Sequence, residues 1–357
     1  MPTNSFLEQA GCWYLNSGIQ EPTGGVARYY RVDLAKNAGV STEITGYGVS
    51  TFVYLHALSG RDEYLDRARA AAAFLTRSAW NDELRAMPFE CGSGTPLTYF
   101  FDCGIVVRGL LTLYRTTGEE EWLEGAELCA DAMRDFRGTG GQYHPILSLP
   151  EKAPLPRDER WSRNPGCYQL KSALGWLELA QATGNRAWVP MYEEVLLYSL
   201  DSHEAFSMLE PQRQRMMDRL HAYCYFLEGL LPYADRPDCR QALVEGIDQT
   251  GRLLRDIAPE FARSDVYAQL LRIRLYADAL GVAALDPAVA EAEAAALACF
   301  QVDAADIRQR GGFCFGRKGT DLLPFSNPVS TAFALQALVM WNDYEAGRTP
   351  ASPQLLI

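Results

Sequence analysis

The chain has 357 residues, with 33 Lys+Arg against 45 Asp+Glu, a net charge of −12, 48% hydrophobic residues and 22% charged ones. A chain of that size and composition buries a core without metal or disulfide staples, and its acidic balance excludes nucleic acid or an anionic membrane as the main partner. The nine cysteines are scattered without a C-x-x-C pair, no apolar run approaches the ~20 residues of a membrane span, and the first twenty residues carry Glu8 instead of a basic start. Structural zinc, a disulfide framework, a membrane span and a secretion signal are therefore not expected, and the expected location is cytoplasmic.

In chain order, the periodicity predicts an amphipathic helix over 4–18, then a mostly apolar helix over 43–59 and one with a charged face over 62–78. The same alternation recurs at 99–116 and 119–136, 167–182 and 188–205, 218–234 and 238–257, and 264–280 and 287–300, before a last apolar helix over 328–345. Helices apolar on most sides belong inside, and those with a charged face outside. Several of the apolar ones end at a glycine suited to a left-handed C-cap: Gly60, Gly118, Gly184 and Gly281. Six inner and six outer helices in alternation predict an all-α, (α/α)6 toroid of six helical hairpins, one domain over 1–357. An open α-solenoid is the alternative.

Three segments interrupt the helices, each with a Gly-Gly followed by aromatics: Gly24-Gly25 to Arg31, Gly140-Gly141 to His144, and Gly311-Gly312 to Arg317. Their alternation predicts short β-hairpins in the loops at one mouth of the toroid. The loop 138–166, with five prolines, is the longest, and such loops are more often functional than idle.

The alternation, the Gly-Gly-aromatic segments and repeats such as Gly60-Arg61-Asp62-Glu63-Tyr64-Leu65 and Thr117-Gly118-Glu119-Glu120-Glu121-Trp122-Leu123 resemble the six-hairpin toroid superfamily of carbohydrate enzymes. That group includes unsaturated glucuronyl hydrolases, N-acylglucosamine 2-epimerases, glucuronyl C5-epimerases and several polysaccharide lyases. The resemblance implies that substrate binds at the mouth lined by the loops that enter the inner helices. Helix N-termini there direct free N–H groups at the ligand and favour an anion.

Glu43 opens the first inner helix and is either a helix-dipole partner beside a Ser41 or Thr42 cap, or a cavity carboxylate with Tyr47 one turn below. Asp102, among Tyr99, Phe100 and Phe101, is a cap or a desolvated acid; Glu90 lies in the loop 87–92 that leads to it. Asp265 reads first as a cap, and Glu228, inside an apolar run, as an acid that needs an Arg partner or a catalytic role. His221, at the start of the fourth inner helix, and His144, in a Gly-Gly hairpin, suit proton transfer, whereas His56 and His203 read as structural.

Basic residues crowd the entrance segments: Arg28, Arg31, Arg160, Arg163, Lys171, Arg219, Arg263, Arg308, Arg310, Arg317 and Lys318. Interleaved with Tyr29, Tyr30, Tyr143, Trp161, Tyr168, Tyr223 and Phe315, they resemble a groove for an acidic sugar; the plain alternative is pairing with surface acids. The leading expectation is a glycoside hydrolase for an acidic, uronic-acid-containing oligosaccharide or polysaccharide. Glu43 and Asp102 would be its acid/base pair and His221 a supporting residue. An epimerase or lyase moving a proton through His221, His144 or a tyrosine is the alternative, and a non-catalytic glycan- or protein-binding toroid a third. No metal-ligand cluster or phosphate-binding glycine loop is present in the sequence, so no cofactor is expected.

Overall fold

A computed structural model of the chain describes residues 5–91, 96–207, 212–348 and 356–357; Asn4 and Gly92, at the edges of two predicted segments, lie outside them. Twelve α-helices run through the described residues: α1 Ser5–Asn16, α2 Thr42–Ser59, α3 Asp62–Ala73, α4 Phe100–Thr117, α5 Glu120–Ala132, α6 Leu170–Thr183, α7 Val189–Ser207, α8 Arg213–Leu230, α9 Pro237–Ile257, α10 Ser264–Ala279, α11 Pro287–Ala298 and α12 Pro328–Glu345. The even-numbered helices from α2 to α12 are the predicted inner ones, each with long buried runs. Gly60, Gly118 and Gly184 take the left-handed C-cap conformation, and Gly281 does so one residue beyond the cap of α10.

The boundaries differ where local chemistry intervenes. The predicted helix 62–78 is α-helical only to Ala73 and continues as a π turn, Phe74–Ala79. Helix α8 starts earlier than its apolar pattern, at Arg213, and stops at Leu230, where Pro232 cannot donate the next helical hydrogen bond.

Among the described residues nine short strands form three antiparallel sheets, each of which includes strands that follow a Gly-Gly segment: β1 Tyr30–Arg31, β2 Lys36–Asn37, β3 Leu97–Tyr99, β4 Ile146–Ser148, β5 Ala153–Pro154, β6 Phe261–Arg263, β7 Gly316–Lys318, β8 Asp321–Leu322 and β9 Phe325–Ser326. The orders are β2-β1-β9, β3-β4-β5 and β6-β7-β8. Strands β3 and β6 run without a break into α4 and α10, so each aims the first turn of an inner helix.

The chain divides into two compact units, Gln20–Arg28 with Gly39–Ser202, and Met1–Ile19 with Tyr29–Ala38 and His203–Ile357. In the first, α2, α4 and α6 lie side by side because glycines face one another. A Cβ on Gly109 of α4 would sit 2.5 Å from the Gly46 carbonyl oxygen of α2, and one on Gly104 would sit 2.4 Å from the Ser172 carbonyl oxygen of α6. In the second unit α8, α10 and α12 form the inner layer, and α1 packs on α12. The Tyr14 hydroxyl donates to the Pro328 carbonyl at 2.5 Å. Glu228 of α8 finds the arginine it needs: Arg272 of α10 donates to it at 2.6 Å, both side chains fully buried, with Phe333 under the guanidinium at 4.1 Å. Its role is structural.

Candidate active site

The first turn of α2 resolves the question of who caps it. Ser41 Oγ accepts from the Ile44 N–H at 3.3 Å, and Thr42 Oγ donates to the Pro88 carbonyl at 2.9 Å. Glu43 is thereby left without a capping task. Helix α4 begins differently, since its N-cap residue, Tyr99, although extended like Ser41, supplies no side-chain cap. Asp102, in the first turn, is 4% exposed, and its Oδ2 is buried with no hydrogen-bond partner.

The close approach of α2 and α4 through Gly46 and Gly109 brings these carboxyl groups within electrostatic reach. Burial pushes Glu43 up to about 7, against the pull of the Arg28 guanidinium. Burial, and then the charge of Glu43, raise Asp102 well above the usual carboxylate range. Of the two carboxyl groups Arg28 pulls on Glu43, so their surroundings are asymmetric.

Around the pair, Arg28 is bound to Glu90 at 3.1 Å and lies over the Phe89 ring, which packs on Tyr99 at 4.9 Å. Burial and the nearby Asp102 charge raise the Tyr99 phenol, and Arg163 and Arg160 oppose them. Phe101 faces Tyr168 at 6.3 Å, and Trp161 meets Tyr168 edge-on at 5.0 Å. The Tyr168 hydroxyl donates to the Asn164 carbonyl at 3.1 Å. Tyr47 is buried one turn below Glu43. The sequence points to Tyr99 as a desolvating neighbour of Asp102 but gives Phe89 no role; the one available signal for Phe89 is an aromatic directly before Glu90.

Tyr143 and His144 are placed otherwise. The Tyr143 ring is buried between Phe100 and Trp176, and its hydroxyl donates to Glu194 at 3.0 Å, so it serves the packing of the unit. His144 is tied by its backbone N–H to the Phe136 carbonyl at 2.7 Å, and burial with nearby Arg157 lowers its imidazole pKa.

In the second unit, His221 is the centre of a separate cluster. Its Nδ1 donates to Gln269 Oε1 at 2.7 Å, and Nε2 has no partner among the described residues. Burial lowers the ring to about 4, against the pull of Asp265, whose Oδ2 lies 3.5 Å from Nδ1. Asp265 is not a plain cap: Arg263 grips it with a two-pronged contact at 3.0 and 2.6 Å and reaches Asp218 at 2.7 Å. Tyr223 is buried, and its hydroxyl shares a hydrogen bond with His203 Nδ1 at 3.1 Å. Arg219 donates to the Phe206 carbonyl at 2.8 Å, and Arg317 of β7 lies over Phe300.

Several of the basic residues expected in the groove are paired with acids. Arg28, Arg31, Arg160, Arg263 and Arg308 are paired with Glu90, Asp33, Asp158, Asp218 with Asp265, and Asp306 respectively. Arg163 has no ion pair among the described residues. Among these residues, no group of three or more His, Cys, Asp or Glu is placed to hold a metal ion, and no helix is long and apolar enough to cross a membrane.

No protein-family model matches the chain. Mouse spermatogenesis-associated protein 20 is 30% identical over 190 residues, 49% of this chain; the match spans only 24% of that relative, about a quarter of its length. Among solved structures, a sugar epimerase from a ruminal bacterium superposes with a TM-score of 0.71 at 12% identity, over 95% of this chain and 98% of that one. A D-mannose isomerase gives 0.70 at 10% over 94% and 96%. Cellobiose 2-epimerase from Bacillus thermoamylovorans B4167 gives 0.70 at 11% over 94% and 99%. Alternating inner and outer helices with this likeness along nearly the whole chain make the fold an (α/α)6 toroid.

Proposed function

We propose that the protein is a carbohydrate-active enzyme, a glycoside hydrolase for uronic-acid-containing oligosaccharides, with Glu43 and Asp102 as its acid/base pair. One observation carries the reading: two carboxyl groups, Asp102 buried and Glu43 partly so, lie within electrostatic reach of one another at the starts of adjacent inner helices, and neither is consumed by a cap. A pair made for stability would hold an arginine between its members, as Glu228 does with Arg272.

Glycoside hydrolysis needs one carboxylic acid that is protonated at working pH and one carboxylate beside it. Asp102, held protonated by burial and by the neighbouring charge, donates to the leaving glycosidic oxygen. Glu43, which Arg28 helps to ionise, attacks the sugar or draws the proton from a water. Phe89, Phe101 and Trp161 offer ring faces for pyranoses, and Arg163 suits a uronate carboxylate. The sugar-related names of the proteins that share the fold support a carbohydrate substrate. The test is product analysis with unsaturated uronate disaccharides and their neutral counterparts. New reducing ends are expected from the wild type and none from a folded Asp102→Asn variant; undiminished hydrolysis by that variant overturns the assignment.

A second reading, a sugar epimerase or isomerase, is favoured by His221. With Nδ1–H committed to Gln269, the neutral ring holds its lone pair at Nε2, ready to take a proton from a carbon next to a carbonyl. Deuterium uptake from D2O into the sugar without new reducing ends, abolished in His221→Asn, would select this reading over hydrolysis.

A further inference from the structure

Away from both clusters, α1, α11 and α12 enclose an open groove of about 560 Å3 within the second unit. The groove exists because α11 is largely alanine, which leaves unfilled the space a longer side chain would take. Phe6, Leu338 and Trp341 form its floor, and the exposed acids Glu291, Asp303 and Glu345 its rim.

The charge around it is one-sided. The segments that build the groove, Ser5–Asn16, 281–307 and Pro328–Glu345, hold Glu8, Asp286, Glu291, Glu293, Asp303, Asp306, Asp343 and Glu345 and not one lysine or arginine. Glu293, Asp306 and Asp343 are paired with Arg274, Arg308 and Arg348, whereas the three rim acids have no ion pair among the described residues. We propose that this groove docks an amphipathic helix of a partner protein, its apolar stripe on Phe6, Leu338 and Trp341 and its lysines or arginines against the rim. An apolar trough between helices receives an anchor row spaced at helical intervals, and the acidic rim selects basic flanks and speeds encounter. A second copy of this chain fits less well, because a symmetric contact would set the uncompensated acids against one another.

The experiment is calorimetric titration at physiological salt with a leucine–lysine peptide of about 14 residues patterned as an amphipathic helix, long enough to fold on binding. A scrambled peptide of the same composition is the control for charge alone. The patterned peptide is expected to bind, and to bind about tenfold more weakly to Ala298→Trp, which fills the trough, and to Glu291→Lys/Glu345→Lys, in keeping with the loss of well-placed contacts or charges. Glu83→Lys, in the other unit, should change nothing. Equal binding of the scrambled peptide, or unaltered affinity in both groove variants, overturns the proposal. So does a dimer in sedimentation that Ala298→Trp dissociates, which would assign the groove to a second copy. If Ala298→Trp fails to fold, Ala295→Trp at the exposed rim and the charge-reversed pair still decide the outcome.

Discussion

Replacing Glu43 with Gln separates the two roles open to this residue by the sign of the stability change. A carboxylate that serves only the helix dipole stabilises, so its loss should cost roughly 0.3–1 kcal/mol wherever it is ionised. A carboxylate in the environment seen here does the opposite. Its folded pKa, about 7, lies above the ordinary 4.5, so the folded state binds a proton that the unfolded chain has already released. The stability from that proton is fully present below 4.5 and is lost as the pH rises through 7. By linkage, the wild type should lose about 2.5 kcal/mol between pH 5 and pH 8.5 from this group alone. The partial exposure of Glu43 makes that an upper figure. Glu43→Gln lacks this term, and its neutral amide also relieves Asp102 of a neighbouring charge. Urea denaturation of both proteins at the two pH values is the assay. The variant should gain on the wild type as the pH rises, and overtake it by pH 8.5. A variant less stable by the same margin at both values would refute the buried-pair reading and return Glu43 to the helix dipole.

Three further outcomes are expected. Glu228→Gln should destabilise by roughly 3–5 kcal/mol in denaturant melts, because Arg272 would keep a fully buried charge without its counterion. Gly109→Ala places a methyl 2.5 Å from the Gly46 carbonyl oxygen and should cost about 1–3 kcal/mol, a separation of α2 and α4 that also lowers the pKa of Asp102, readable by carbon NMR of its carboxyl group. His221, lowered from 6.5 to about 4, should titrate near that value by proton NMR; the unfolded chain takes up the proton first, so stability falls as the pH drops from 6.5 towards 4.

The fold was largely legible because its signal is redundant. Twelve helices of two kinds alternate, and the glycines that close them repeat the message at Gly60, Gly118 and Gly184. What escaped was decided by contacts between distant segments. Tyr143 and Tyr223 sit in stretches that look like a sugar-stacking surface, yet their hydroxyls are taken by Glu194 and His203, residues 51 and 20 positions away. Part of the basic crowding has a local explanation instead: Arg31, Arg160 and Arg308 each reach an acid two positions away, a pairing visible in the sequence as soon as it is sought.

The two aspartates show how little sequence difference separates a buried acid with a counterion from one without. Asp102 and Asp265 both lie in the first turn of an inner helix, fed by a short strand that runs straight into it, and both are almost fully buried. The N-cap position differs: Arg263 in front of Asp265, Tyr99 in front of Asp102. The arginine folds back onto its own helix and binds Asp265 in a fork, so the carboxyl group stays ionised below its usual range and burial is offset on the spot. Tyr99 has no charge to give, and the cation that acts on Glu43, Arg28, is held by Glu90. Burial at Asp102 is therefore uncompensated, and Glu43 adds to it. A free energy cost that folding would otherwise remove with one arginine persists at this place, and it raises Asp102 well above the usual carboxylate range.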